Sequence, residues 1–224
     1  MKNVILILIL NVFAFGDINI RSDSLFISKP IKSWIEFKNE NLTRQNYDYS
    51  CGSASLSTIL KYYYNLDIGE KDILDEILKL RGFNITEKDK LEENDVSLSF
   101  SDLAEFSNEK GFKSFGLALD LDSLSKLKVP VILFVKIRKN EHFTVFKNID
   151  KNYVYLSDPS FGNIKVKISK FKEMFYQRDD LKYPGKILAI IPNNNSQSIN
   201  KDFMNIQKHT DFVYEVIKDK MNNL

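Results

Sequence analysis

The chain has 224 residues, 43% of them hydrophobic and 28% charged, which is enough for one soluble domain with a proper core after a short leader is removed. Formal net charge is only +2 at pH 7 and the lysines are interleaved with acids, which argues against a nucleic-acid partner. With one cysteine and two histidines the chain is too poor in ligands for a metal site, and it has no phosphate-cradling glycine loop or dinucleotide fingerprint, so no cofactor is expected.

In chain order, the first residues read as an export signal. Lys2 is the charged start, Val4 to Phe15 is apolar except for Asn11, and Ala14-Phe15-Gly16 offers small residues where a signal peptidase inspects. The run is shorter than the roughly 20 residues a membrane span needs. Cleavage is expected after Gly16, with Asp17 as the mature start and a periplasmic or secreted destination. No later segment reads as a membrane span. An exported chain with one cysteine forms no internal disulfide, and a spare thiol there is easier to explain if it is used.

The expected main domain covers 17–192. Asp17 to Lys29 carries little signal, and Ile31 to Phe37 reads as either an extended segment or a short helix, with Trp34 as an anchor. Ser50 is read as the N-cap of a helix running from Cys51 to about Tyr64-Asn65, with Ala54, Ile59, Leu60 and Tyr63 on one face. Gly69 to Arg81 predicts a second helix, and Asn84 to Ser97 a charged surface loop. Ser101 is read as the cap of a third helix that stops at Gly111. Phe112 to Leu121 predicts a strand and Asp122 to Lys128 a short helix before Pro130. The pattern then turns to β, with strands over Val131 to Ile137, His142 to Ile149, Tyr153 to Ser157 and Ile164 to Ile168. A helix over Ser169 to Tyr176 and a last strand over Lys186 to Ile191 follow. Asn193 to Asn200 reads as a linker, and Lys201 to Leu224 as an amphipathic helix with Phe203, Ile206, Val213 and Ile217 on its apolar side. That helix is read as packing on the domain in preference to serving as a partner-binding tail, and His209 within it as a surface histidine.

Cys51 sits in the first turn of its helix, where free backbone N–H groups and the positive end of the dipole favour thiolate over thiol. A lone cysteine is more often a buried, inert residue. Here, however, it follows a polar, aromatic approach and does not lie within an apolar face. Gln45, six residues upstream, can fold back so that its amide and the Cys51 backbone N–H donate to an oxyanion. His142 and Asp158 have a common midpoint at the turn Asp150-Lys151, so a symmetric hairpin sets them opposite each other on one face, about 5 Å apart at Cβ. Asp158 precedes Pro159 and alone would be read as a turn residue. Registered against His142 it reads as the acid that orients an imidazole. The combination points to acyl transfer, with Cys51 as nucleophile, His142 as base and then acid, Asp158 as orienter and Gln45 as oxyanion donor.

The segment Gln45…Ser50-Cys51-Gly52-Ser53-Ala54-Ser55-Leu56, then His142-Phe143-Thr144-Val145, then Tyr155-Leu156-Ser157-Asp158-Pro159-Ser160-Phe161-Gly162, resembles the bacteriocin-processing cysteine peptidases. These papain-like enzymes cut leader peptides after a Gly-Gly pair, and they usually form the N-terminal domain of peptide-exporting ABC transporters. The resemblance runs from about Lys32 to Ile191 and implies a papain-like α+β fold, N-terminal helices packed on an antiparallel sheet, with the same roles for Gln45, Cys51, His142 and Asp158. Transporter members commonly carry Asp before the cysteine, where this chain has Ser50. Ile31-Lys32-Ser33-Trp34 and Tyr47-Asp48-Tyr49-Ser50-Cys51-Gly52 are more similar to the stand-alone, exported members. The expected partner is a peptide or protein substrate, with association with a secretion or surface-assembly system. Three readings stay open: an exported cysteine peptidase, a peptide-binding or assembly module of low activity on the same fold, and a transferase or amidase using the same triad on another acyl donor.

Overall fold

The computed structural model describes residues 16–22, 25–31, 33–84, 96–194 and 196–205. The expected export signal lies outside these residues but for Gly16, as do residues 85–95 and, with His209, residues 206–224 of the expected C-terminal helix. The chain divides into two units, Met1–Phe37 and Lys38–Leu224. In the first, β1 (Gly16–Ser22) and β2 (Leu25–Ile31) pair antiparallel, with Ile20 opposite Ile27. This is the stretch whose sequence carried little signal. Trp34–Asn39 forms the short helix α1, one of the two conformations the sequence left open.

The second unit is built around α2 (Cys51–Thr58), which widens into one π-turn over Ile59–Tyr63. Its residues Cys-Gly-Ser-Ala-Ser-Leu-Ser-Thr are mostly small, so the helix is buried from Gly52 through Thr58 with its backbone close to its neighbours. The hydroxyls this brings inside are mostly paired. Ser57 donates to the Ile68 carbonyl at 2.8 Å, Thr58 donates to that of Ala54 at 2.8 Å, and Thr58 Oγ1 accepts the Thr43 N–H at 3.0 Å.

Helix α3 (Glu70–Leu80) buries Ile73, Leu74, Ile77 and Leu78, the one-face pattern of an amphipathic helix. Helix α4 (Phe100–Glu109) starts two residues earlier than expected. Ser99, not Ser101, is its cap: the Ser99 hydroxyl accepts from the Asp102 N–H, and Asp102 answers the Ser99 N–H. The pair Ser-x-x-Asp closes both orphan donors, which Ser101 has no acidic partner to do. Gly111, at φ +85°, ends the helix.

The remaining elements are β3 (Phe112–Leu119), α5 (Leu121–Ser125), β4 (Val131–Ile137), β5 (Asn140–Ile149), β6 (Tyr153–Asp158), β7 (Gly162–Lys167), α6 (Ile168–Phe175) and β8 (Gly185–Pro192). The strands form one antiparallel sheet in the order β3-β8-β4-β5-β6-β7. Alternation along the central strands divides the core. Ile132, Val145, Leu188 and Ile190 pack with α2, α3 and α4, while Val131, Leu133, Val135, Ile187 and Ala189 pack with Leu124 and the α6 residues Phe171 and Phe175. The sheet is therefore covered on both faces, with the helix of Cys51 on one of them.

The stretch expected as a linker, Asn193 to Asn200, is fastened to the domain. The π-turn leaves carbonyls at the end of its helix, and this segment supplies their donors. Gln197 Nε2 donates to Tyr64 O at 2.6 Å, Asn200 N to Tyr63 O at 2.8 Å and Asn200 Nδ2 to Tyr62 O at 3.0 Å. Lys201–Met204 then forms a 3₁₀ turn whose Phe203 is fully buried in the core.

Candidate active site

Cys51 opens α2 and is partly exposed. The polar loop Gln45–Ser50 leads into it. Ser50 holds the N-cap position, but its side chain makes no capping hydrogen bond. Its hydroxyl turns back into the loop, to Tyr47 O at 2.8 Å and to the Glu70 carboxylate.

His142 and Asp158 come together from β5 and β6, with His142 Nε2 and Asp158 Oδ2 2.9 Å apart. They are not directly opposite. The ladder pairs Val145 with Ser157 and Phe146 with Leu156, and it shifts at a bulge between Phe146 and Asn148. Carried one residue further, this register sets Thr144 opposite Asp158 and puts His142 two residues along on the same face. The hairpin is not the symmetric one expected. Asp150 Oδ1 accepts from the backbone N–H groups of Asn152 and Tyr153, both at 2.7 Å, which makes a broader turn, and the bulge adds a residue. Because the displacement is an even number of residues, the two side chains keep a common face and meet diagonally.

With Nε2 engaged by Asp158, Nδ1 is the ring nitrogen left for the Cys51 sulfur, which lines the same cleft and acts on the imidazole. Burial disfavours the imidazolium, but the hydrogen bonds and charges of Asp158 and Cys51 outweigh it and carry His142 up to about 9. Burial likewise works against the Asp158 carboxylate. The hydrogen bond and charge of His142, the Phe161 N–H and the Thr144 hydroxyl overcome it and hold the group below the usual range. Asp158 Oδ1 accepts from the backbone N–H groups of Ser160 and Phe161, both at 2.9 Å, so the carboxylate is fixed by its own loop as well as by the ring. That loop closes at Gly162, φ +88°, where a Cβ would stand 2.8 Å from the Lys38 carbonyl oxygen; only glycine fits. The Phe161 ring lies edge-on to the imidazole, centroids 6.4 Å apart.

Gln45 joins the two loops. Its backbone N–H donates to Pro159 O at 3.2 Å, and its side-chain Oε1 accepts from the Ser160 hydroxyl at 2.6 Å. Its Nε2 donates to Tyr47 O at 2.9 Å and, more weakly, to Asp48 O at 3.4 Å. Two carbonyls on one side and a hydroxyl on the other fix which way the amide faces.

A cleft of about 300 Å³ opens at Cys51 and His142, walled by Tyr49 and the phenylalanines 100, 134 and 143, with Glu141 and Lys186 among its charged lining. The rings of Phe100 and Phe143 are 5.0 Å apart and those of Phe134 and Phe143 5.6 Å. A Cβ at Gly52 would come within 3.2 Å of the Phe143 ring, so a larger residue after Cys51 would have to push that ring aside. Sequence reasoning missed Glu70, Ser160, Thr144 and Phe161. Ser160 alone had a local signal, standing two residues after an Asp in an Asp-Pro turn. The others are assembled by tertiary contact. Among the described residues no group of histidine, cysteine and acidic side chains could hold a metal ion, and no helix is long and apolar enough to cross a membrane.

Residues 39–178 match the Peptidase C39 family. Over 153 residues the chain is 31% identical to the probable functional amyloid protease FapD of Pseudomonas fluorescens, a match covering 65% of this chain and 61% of that protein. The chain thus spans about three fifths of the length of that curated relative. It is also 27% identical over 179 residues to the sublancin-168-processing and transport ATP-binding protein SunT of Bacillus subtilis, covering 78% of this chain and 22% of that protein. The peptidase domain of Streptococcus ComA, a bi-functional ABC transporter involved in a quorum-sensing pathway, superposes with a TM-score of 0.50 at 17% identity, over 67% of this chain and 97% of that domain. At that identity the likeness speaks to the fold, which is the expected papain-like α+β arrangement. The chain belongs to the Peptidase C39 family, and residues 39–178 are its cysteine-type peptidase domain.

Proposed function

We propose that this chain is an exported cysteine peptidase that hydrolyses peptide bonds through Cys51, His142 and Asp158. The observation that carries the reading is an imidazole hydrogen-bonded to a buried carboxylate and lining the same cleft as the one cysteine. His142 Nδ1 takes the thiol proton as sulfur attacks the scissile carbonyl carbon. The C–N bond breaks as the imidazolium delivers that proton to the leaving amine. Water, deprotonated by the same ring, then releases the acyl group from sulfur. Asp158 holds the ring and stabilises its charged form. The backbone N–H of Cys51 and the amide of Gln45 donate to the tetrahedral oxyanion. For Gln45 this requires exchanging its weaker contact, the 3.4 Å one to Asp48 O, for the substrate oxygen.

A Gly-Gly pair before the cut is the specificity that the likeness to leader-cutting peptidases suggests. Export through residues 1–16 and work beside a surface-fibre or secretion system are part of the same proposal, the latter supported by the name of the FapD relative. The purified chain and its Cys51→Ala variant, each incubated with a peptide library with and without Gly-Gly pairs, provide the test. Mass spectrometry should find new termini only with the unaltered chain, enriched after Gly-Gly, and N-terminal sequencing of the exported protein should begin at Asp17. Equal product sets from both proteins would overturn the peptidase reading and leave a binding module.

A further inference from the structure

Between α2 and α3 lies a carboxylate that the chemistry above does not use. Glu70, the first residue of α3, is only 3% exposed. Its Oε1 accepts from the Asn46 backbone N–H at 2.9 Å and from the Ser50 hydroxyl, and its Oε2 accepts from the Asn46 side-chain amide. Among the described residues no lysine or arginine pairs with it. A buried carboxylate is costly unless hydrogen bonds replace its water. Here these hydrogen bonds come from one short loop, so the loop's shape and the carboxylate depend on each other.

That loop joins the oxyanion donors to the nucleophile. Tyr47 N donates to Ser50 Oγ at 3.2 Å, and Tyr47 O accepts both Ser50 N at 3.2 Å and Gln45 Nε2 at 2.9 Å. A path of contacts therefore runs from Glu70 through Asn46 and Ser50 to the turn at Tyr47, then to the Gln45 amide on one side and the first turn of α2 on the other. Ser160 holds the far end of the Gln45 amide. The loop has no β-ladder to set its place, so side-chain anchors have to do so.

We propose that Glu70 is a positioning residue for the reaction, its buried carboxylate holding the Gln45–Ser50 loop so that the Gln45 amide and the Cys51 N–H stand in register with the sulfur. This rests on the peptidase reading. Glu70 touches neither sulfur nor substrate and acts only through the loop. Its loss therefore weakens stabilisation of the oxyanion more than it weakens the thiol as a nucleophile, or binding in the cleft.

Glu70→Gln and Glu70→Ala separate these effects, using a peptide that the library experiment shows to be cleaved, together with iodoacetamide, which alkylates sulfur without forming an oxyanion. Glutamine keeps one acceptor oxygen but sets a donor against the Asn46 amide; alanine removes both acceptors. The expected result is a fall in kcat of about 10-fold for glutamine and about 100-fold for alanine, the scale of a weakened or lost oxyanion donor. KM and the Cys51 alkylation rate should stay within about threefold. An unchanged kcat in the glutamine variant would overturn the assignment, as would alkylation falling in step with kcat, the mark of a site that has simply come apart. If alanine fails to fold, the glutamine variant decides alone. Failure of the unaltered chain to cleave any peptide would overturn the peptidase reading, and this assignment with it. Cleavage by the unaltered chain with no effect of the variants would overturn this assignment alone.

Discussion

The two sides of the site are held by different means. His142 and Asp158 ride on adjacent strands whose backbone ladder sets their separation, and Asp158 is further pinned by two N–H groups of its own loop. The approach to Cys51 has no ladder. Beyond one backbone hydrogen bond from Gln45 to Pro159, its place is set by side chains reaching in from α3 and from the loop of Asp158, Glu70 and Ser160. His142 and Asp158 are thus positioned by repeating backbone geometry, which tolerates many side chains. The loop before Cys51 depends on a few polar contacts, each of which matters. A substitution on the first side should alter charge and proton transfer while leaving the scaffold in place. One on the second should alter geometry.

The sharpest way to break this contrast is Asp158→Asn. The amide oxygen still accepts from Ser160 and Phe161, so the loop should keep its shape, but the other arm presents a donor to His142. The expected loss in kcat/KM is about 100- to 1000-fold, within the range for disabling general acid–base catalysis. The alkaline limb of activity, expected near the His142 value of about 9, should move to lower pH. A loss of less than about tenfold would show that the carboxylate does little for the ring.

A smaller effect concerns stability. The folded value of His142, about 9, lies above its ordinary 6.5, so the stabilisation it brings is fully present below pH 6.5 and is lost as pH rises towards 9. This amounts to about 3 kcal/mol at most. Asp158 is shifted the other way, and its contribution is present above 3.8 and lost as pH falls below that. Lys147 opposes the alkaline loss. Burial holds it down to about 8 against the pull of Glu40, so its charging penalty is relieved as pH rises from 8 to 10.5. Because Lys147 is present in both proteins, the difference in urea unfolding free energy between the unaltered chain and Asp158→Asn isolates the pair. That difference should shrink from pH 6.5 to pH 9. A constant difference would show that the two groups are not coupled in the fold.

The smallest effect is expected on the helix that carries Cys51. Ser55 is fully buried and its Oγ has no hydrogen-bond partner. Ser55→Ala removes an unsatisfied hydroxyl from a helix interior and should raise stability by about 1 kcal/mol, read as a higher urea midpoint at unchanged slope. Destabilisation would mean that the hydroxyl is satisfied in solution.

Much of the framework was legible from local pattern alone. Val131 to Ile137 is a strand over just those residues, because a β-branched apolar run buried on both faces leaves little choice. Gly111 ends its helix because the next step needs positive φ. That Cys51 opens a helix was also readable, from a polar approach followed by an apolar period. Other features were readable only in part. His142 and Asp158 were assigned a common face through a symmetric hairpin, and they share one through a bulged hairpin displaced by an even step, since parity survives such a shift and register does not. Ser99 took the cap from Ser101 because an acid three residues on completes the exchange.

By itself the sequence determined most of the elements from α2 onward, their alternation into a core, and which polar residues were worth watching, because periodicity and capping act over a few residues. The tertiary structure alone decided that Glu70 binds the loop before Cys51, that Ser160 ties Gln45 to the loop of Asp158, and that Gln197 and Asn200 cap the end of the central helix. These contacts join residues 20 to 138 positions apart. At such separations no local preference operates, and only the folded chain brings donor and acceptor together.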